Sequence, residues 1–368
     1  MKLKILQVCP RYYPDIGGVE THVKEISERL VRVGFEVEVV CTDPSGKHQK
    51  EEIINGVKVK RFRSLAPNDN YFFATQIYFY LKKVRCDIIH AHNYHTLLPL
   101  FAAFARKGRI FMFTPHTFGF PTTFPGNLLH KAYKAFGKMI FNSADKIITV
   151  SKEEEKWINN VFQVPENRLH YIPLPIVIGN SNVGASKENI VKIAFVGRLS
   201  EEKNVELLIS AFALVKQAHS ESELFIVGNG PLRNQLENIS TQINDVNFMG
   251  ALVHDEVLRF LDEIDLFILP SHFEVLGISV LEAMSKRIPV ILTPVGELQH
   301  TLKHEVNCLF TKIDDVNDLA NNISMLMEDH GLAKRIAENG RRYVEERHDI
   351  NKIINDYIDM YNEIGGGK

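Results

Sequence analysis

The chain has 368 residues, a length that fits two domains better than a single core. Hydrophobic residues make up 45%, charged residues 24%, and the net charge is −2; this is the composition of a soluble enzyme, and its bulk charge does not favour nucleic acid. The four cysteines, Cys9, Cys41, Cys86 and Cys308, include no C-x-x-C pair, which argues against a disulfide framework or a zinc site and fits a reducing cytoplasm. The first apolar run ends at Pro10, too short for a signal-peptide core, and no apolar stretch is long enough to span a bilayer.

Lys4–Cys9 reads as a first strand, and Gly17-Gly18 opens a helix running to about Val33. Glu36–Cys41, Val57–Arg63, Asp87–His90, Ile110–Thr114 and Lys146–Val150 read as further strands with helical segments between them. This alternation predicts a parallel sheet with helices on both faces. Ile178–Asn189 is Gly/Ser/Asn-rich and without periodicity, a linker. The pattern then restarts. Strands are expected at Lys192–Val196, Glu223–Val227, Val246–Met249, Leu266–Leu269 and Pro289–Leu292. Helices are expected at Asn204–Ala218, Pro231–Ile239 and Ile278–Ser285. Helices at about Val316–Asp329, Leu332–Glu338 and Arg341–Tyr361 close the chain, with a disordered Gly-Gly-Gly-Lys tail. The expected organisation is a first doubly wound domain over 1–177, a linker over 178–190 and a second doubly wound domain over 191–345. Residues 346–368 form a last helix that crosses back to the first domain, and a cleft separates the two domains.

In such domains ligands sit beyond the carboxyl ends of the strands, where the unusual residues of this chain fall. Gly17-Gly18 precedes a helix, so backbone and free amides there suit an anion; a tight turn explains a bare Gly-Gly equally well, and the pair is not a GxGxxG fingerprint. Arg198 and Lys203 follow Lys192–Val196 and suit a diphosphate, although Glu201 and Glu202 between them offer competing partners. Glu274 lies in the loop after Leu266–Leu269, and Glu282 lies in the helix beyond it. The amides of Leu276, Gly277 and Ile278 fall between the two acids. His116 follows a strand and suits a sugar hydroxyl or a proton transfer. His90, His92 and His95 form a trio better read as a polar wall than as a metal site, since no acid or cysteine accompanies them. Lys131, Lys134 and Lys138 share one face of the segment 128–140, which suits an anionic membrane surface or an ordinary solvated helix edge.

Six segments in order resemble the retaining glycosyltransferases of family 4, which have the GT-B fold within the glycogen synthase/phosphorylase-like superfamily. They are GGVETHV (17–23), DIIHAHN (87–93), ADKIITVS (144–151), FVGRLSEEKN (195–204), IVGNGPLR (226–233) and LPSHFEVLGISVLEAM (269–284). The resemblance covers almost the whole chain. It implies that Arg198 and Lys203 neutralise a leaving nucleoside diphosphate. Gly18 would place its backbone near the distal phosphate, with Gly17 also in the donor site; Glu282 would hold the ribose, Glu274 the donor sugar, and His116 would lie beside the reacting sugar. Gly230, Leu252, Leu276, Gly277 and Ile278 would complete the donor site. Glu20, His92 and Phe118 are the acceptor-side candidates.

The resemblance also implies a metal-independent transfer of a hexose with retention, from a nucleotide-sugar to a glycan or lipid-linked acceptor. No Asp-x-Asp is placed to hold a metal. The expected setting is cytoplasmic, peripheral at the membrane through 128–140. A nucleotide-sugar epimerase on the same fold, or a non-catalytic nucleotide-sugar binding protein, is the alternative. Departures from the family pattern bear on loop shape and donor choice: Val275-Leu276 for Gly-Phe, Ile172-Pro-Leu-Pro-Ile176 for Pro-Asn-Gly-Val-Asp, Val295-Gly-Glu297 for a Gly-Gly pair, and Asn307-Cys308 for Asn-Gly.

Overall fold

The computed structural model describes residues 2–15, 17–65, 73–117, 126–179 and 190–366, with residues 126–132 described by backbone only. The chain divides into two compact units, Met1–Pro175 with Asn351–Lys368, and Ile176–Ile350.

The first unit holds β1 (Lys4–Val8), α1 (Gly18–Arg32), β2 (Glu36–Asp43), β3 (Glu51–Ile54), β4 (Val57–Arg63), α2 (Thr75–Lys83) and β5 (Ile88–His92). It continues through α3 (Leu98–Ala105), β6 (Ile110–Thr114), α4 (Gly126–Ser143), β7 (Lys146–Thr149), α5 (Lys152–Phe162) and β8 (Leu169–Tyr171). The sheet order is β3-β4-β2-β1-β5-β6-β7-β8. Every pairing is parallel except β3 with β4, so the expected parallel sheet carries one antiparallel edge strand. The cause is local. Asn55-Gly56 turns β3 back on β4 with both residues at positive φ, 49° and 86°, the conformation that two-residue hairpins demand.

The second unit holds β9 (Lys192–Val196), α6 (Val205–Ala218), β10 (Glu223–Val227), α7 (Arg233–Ser240), β11 (Val246–Gly250), α8 (His254–Leu261) and β12 (Leu266–Leu269). It continues through α9 (Ile278–Ser285), β13 (Val290–Leu292), α10 (Leu298–Thr301), β14 (Leu309–Phe310), α11 (Val316–Glu328) and α12 (His330–Arg347). Its sheet is parallel throughout, in the order β11-β10-β9-β12-β13-β14. Both units are therefore doubly wound α/β layers. The central strands are mostly apolar on both sides because helices cover both faces.

The last helix, α13 (Ile350–Gly365), belongs to the first unit. The chain leaves that unit at Pro175 and returns at Asn351, against the expected limits of 177 and 345. The expected break near Arg341 is also corrected, since α12 runs unbroken through Gly340 to Arg347. A side chain at Gly340 would press on Met284 of α9, where the nearest atom is 3.2 Å from an added Cβ. Ile353, Ile354, Tyr357, Met360 and Tyr361 of α13 are buried with Ile5, Val23, Ile26 and Val39 in one apolar core. Burying five such side chains contributes on the order of 10 kcal/mol, comparable with the whole net stability of a domain. Of the tail expected to be disordered, Gly365 closes α13 and the Gly366 amide donates to the Asn362 carbonyl at 2.8 Å.

Candidate functional site

Each sheet has one point where the connections reverse direction, and ligands of doubly wound domains bind there. In the second unit that point lies between neighbouring strands β9 and β12. The loop after β9 carries Arg198 and Lys203. The loop after β12 carries Ser271 and Glu274. The structure joins the two loops, because Lys203 makes an ion pair with Glu274 and Ser271 Oγ donates to Glu274 Oε1 at 2.9 Å. Lys203 thus goes to Glu274 and not to the loop acids beside it. Glu202 instead accepts from Ser200 Oγ at 2.6 Å. Arg198 is exposed and has no ion pair among the described residues, so its guanidinium is available to an anion.

Three close approaches hold these loops in shape. At Gly228 an added Cβ would stand 1.8 Å from the Gly197 carbonyl oxygen, and at Gly230 2.2 Å from that of Leu199. No side chain fits at either position, and the loop after β10 lies directly on the loop that carries Arg198. Gly296 lies as closely against the Glu274 carbonyl, 2.2 Å from an added Cβ.

Helix α9 starts at Ile278 behind Gly277, whose φ of 61° places it in the left-handed region. Leu276 is buried. Glu282 lies on the same helix, buried, with His254 Nδ1 3.4 Å from its Oε1. Burial pushes its carboxyl up to about 8. Sequence reasoning missed His254, which opens α8 just after Leu252, a half-buried residue. The signal was Glu256, whose carboxylate accepts the Val253 amide at 3.0 Å and caps that helix.

In the first unit the reversal lies between β1 and β5. Gly17 stands at the start of α1, Gly18 is its first residue, and Glu20 is buried with its Oε1 3.0 Å from Arg11 Nε. His92 ends β5 and His116 follows β6 at a positive φ of 52°. The rings of His92 and His116 stack at 5.5 Å, with His92 Nδ1 3.3 Å from His116 Nε2. Glu154, fully buried, fixes the loop that carries His116. It accepts the Thr117 amide at 2.7 Å and the Val150 amide at 2.8 Å. Phe118 lies outside the described residues.

The trio His90, His92 and His95 does not converge as such. His90 bonds Thr114 Oγ1 and His95 bonds Thr117 Oγ1, each at 2.8 Å. Among the described residues the set that converges is His22, His92 and His116, with one nitrogen of each within 4.8 Å of the others, a spacing open to a cation. His22 comes from the first turns of α1 and was missed; its segment, GGVETHV, was singled out for its glycines. Burial holds His22, His90, His92 and His116 well below the usual histidine range, His90 and His116 down to about 3. At neutral pH all four are uncharged.

Two family models match in succession, "Glycosyltransferase Family 4" over residues 16–178 and "Glycosyl transferases group 1" over residues 180–343. An uncharacterized glycosyltransferase of Methanocaldococcus jannaschii is 29% identical over 98% of both chains. Among solved structures, sucrose-phosphate synthase from Thermosynechococcus elongatus superposes with a TM-score of 0.82 at 20% identity, over 100% of both chains. Anabaena HepE in complex with UDP-glucose superposes with a TM-score of 0.75 at 18% identity, over 98% of this chain and 100% of that one. Two doubly wound units, matched end to end by glycosyltransferase models, make the chain a member of the glycosyltransferases of the GT-B fold.

Proposed function

We propose that the chain moves a hexosyl group from a nucleoside-diphosphate sugar to a glycan or lipid-linked acceptor, with retention and without a metal. The observation that carries this reading is the Lys203–Glu274 pair at the reversal point of the second sheet, beside an exposed Arg198 and the opening amides of α9. Cations there suit the diphosphate that accumulates charge as it leaves. Glu274 would accept sugar hydroxyls and Glu282 the ribose hydroxyls. The loops at Gly230 and Leu252 would lie along the base. From the first unit, Gly17 and Gly18 are assigned to the distal phosphate and His116 to the reacting sugar. Glu20 and His92 are assigned to the acceptor side. A UDP-glucose complex in a structural neighbour supports a nucleotide-sugar as donor.

The test is a thermal-shift screen of UDP-, GDP-, ADP- and dTDP-sugars, followed by transfer with the matched donor and NMR of the product anomer. Retention in the presence of a chelator supports the proposal. An inverted product, a chelator-sensitive rate, or conversion of donor alone to its epimer overturns it.

The same reading includes a peripheral position at the cytoplasmic face of an anionic membrane, through α4. Between positions 71 and 143 the sequence carries one acid, Asp87, against Lys82, Lys83, Arg85, Arg106, Lys107, Arg109, Lys131, Lys134 and Lys138. On α4, Phe136 and Met139 are 42% and 41% exposed beside exposed Lys134 and Lys138. Cations with exposed apolar side chains suit the headgroup boundary. Among the described residues no helix is long and apolar enough to cross a membrane.

A further inference from the structure

Two tyrosines four residues apart on α13 reach the histidines of the first unit. Tyr357 OH lies 3.3 Å from His22 Nε2. Tyr361 OH lies 2.6 Å from His90 Nδ1 and 3.2 Å from Gln7 Nε2. All five side chains are buried, so each proton on them has a definite place.

The order of donors follows from Gln7. Its NH₂ donates to Tyr361 OH, so the phenol proton goes to His90 Nδ1, and His90 carries its own proton on Nε2 toward Thr114 Oγ1 at 2.8 Å. With its NH₂ committed, Gln7 turns its carbonyl oxygen to His92 Nε2 at 2.8 Å. That nitrogen must carry the proton. His92 is neutral, so its Nδ1 is a lone pair that accepts Nε2–H of His116 at 3.3 Å. His116 then keeps its Nδ1 unprotonated, as an acceptor.

We propose that Tyr361, acting through Gln7 and His92, is the positioning residue that fixes His116 in its Nε2–H form and so presents Nδ1 to a substrate hydroxyl. This rests on the reading that His116 lies beside the reacting sugar. Without the phenol, the Gln7 amide is free to turn over. It then donates to His92 Nε2, the proton of His92 moves to Nδ1, and His116 must put its own on Nδ1. Once ionised, a glutamate at position 7 has only acceptors and cannot make that mistake; burial raises its carboxyl, so the rescue is read near pH 9.

The experiment compares wild type, Tyr361→Phe, and Tyr361→Phe with Gln7→Glu, in the full chain. Steady-state kinetics and long-range ¹H–¹⁵N spectra of the imidazole nitrogens are read at neutral pH, and for the Gln7→Glu variant also near pH 9, where the carboxyl is ionised. Tyr361→Phe is expected to lower kcat about 10-fold with donor KM changed less than about 2-fold, the scale of one lost hydrogen bond. Its spectra are expected to show a mixed tautomer at His92 and His116. Added Gln7→Glu is expected to restore both the tautomer and most of kcat, which a merely structural loss would not allow. Unchanged tautomers in Tyr361→Phe overturn the proposal, as does failure of Gln7→Glu to restore them. A stoichiometric Co²⁺ absorption band lost on His22→Ala also overturns it, because a cation there would take the His92 and His116 lone pairs. Full activity of His116→Ala beside the predicted tautomer change would remove the role given to His116 and leave the hydrogen-bond chain standing.

Discussion

Lys203 and Glu274, 71 residues apart in the chain, form an ion pair between the loops that follow two neighbouring strands. Their side chains are 20% and 13% exposed, so each charge is partly withdrawn from water and neutralised by the other. Under the proposed function, an anionic donor entering there would compete for Lys203 and leave Glu274 free to accept hydroxyls.

Removing one partner leaves the other charge unpaired and half-buried. Lys203→Ala and Glu274→Ala are each expected to cost the second unit about 1–2 kcal/mol, and the double variant less than their sum. Urea unfolding measures this. Transfer by either single variant should fall by about 10²–10³; full activity in both would remove the pair from the donor site.

The buried Glu282 gives the second unit a stability that falls as pH rises. Its carboxyl is raised from an ordinary value of 4.5 to about 8, so the folded state holds a proton that the unfolded state has released between those values. That contribution is complete below 4.5 and is lost as pH passes 8. Glu282→Gln should flatten the profile and stabilise the unit by about 2–4 kcal/mol at pH 9. Hydrogen exchange of α9 at pH 5, 7 and 9 decides it. A profile unchanged by the substitution would show that Glu282 is not the group responsible.

The first unit should respond in the opposite sense. His22, His90, His92 and His116 are held neutral by burial, while in the unfolded chain each protonates near 6.5. As pH falls below 6.5 the unfolded state gains protons first and the unit loses stability, by up to about 2 kcal/mol per histidine at pH 5. Trp157, the one tryptophan of the chain, packs in this unit against Tyr94 and Phe162, so its fluorescence reports this unit alone. Midpoints that do not move between pH 7 and pH 5 would contradict the assignment of four neutral imidazoles.

If α4 rests on an anionic surface, Phe136→Ser with Met139→Ser should weaken liposome binding about 10-fold or more, given about 25 cal/mol per Å² of apolar area. Lys134→Glu with Lys138→Glu should do the same in low salt, at about 1 kcal/mol per cation. Sedimentation with phosphatidylserine vesicles, against neutral vesicles, reads both. Equal binding to the two kinds of vesicle would exclude charge as the cause.

Much of the fold was legible because buried parallel strands are plain apolar runs. Ile110–Thr114, Lys192–Val196, Glu223–Val227 and Leu266–Leu269 lie where their composition puts them, and Val57–Arg63 where its alternation does. The edge strand β3 was missed because Glu51-Glu52-Ile53-Ile54 is half-exposed and polar, although Asn55-Gly56 announced its turn. β14 was missed because two residues carry no period. At the site, Lys203 and Glu274 were legible as strand-end residues, although their mutual contact was not. Gln7, His22, Tyr357 and Tyr361 were not legible at all. Their meeting is tertiary, and Gln7 lies 354 positions from Tyr361, beyond any local pattern.

The return of α13 has a consequence for how the chain is made. A ribosome delivers Met1–Pro175 first, yet that stretch lacks the helix that fills its core and holds its histidines. Ile176–Ile350 is contiguous and needs nothing that comes later. The segment made second can therefore finish folding first, reversing the usual order of synthesis. The segment made first must wait, with part of one face of its sheet uncovered beside α1, until α13 has left the exit tunnel.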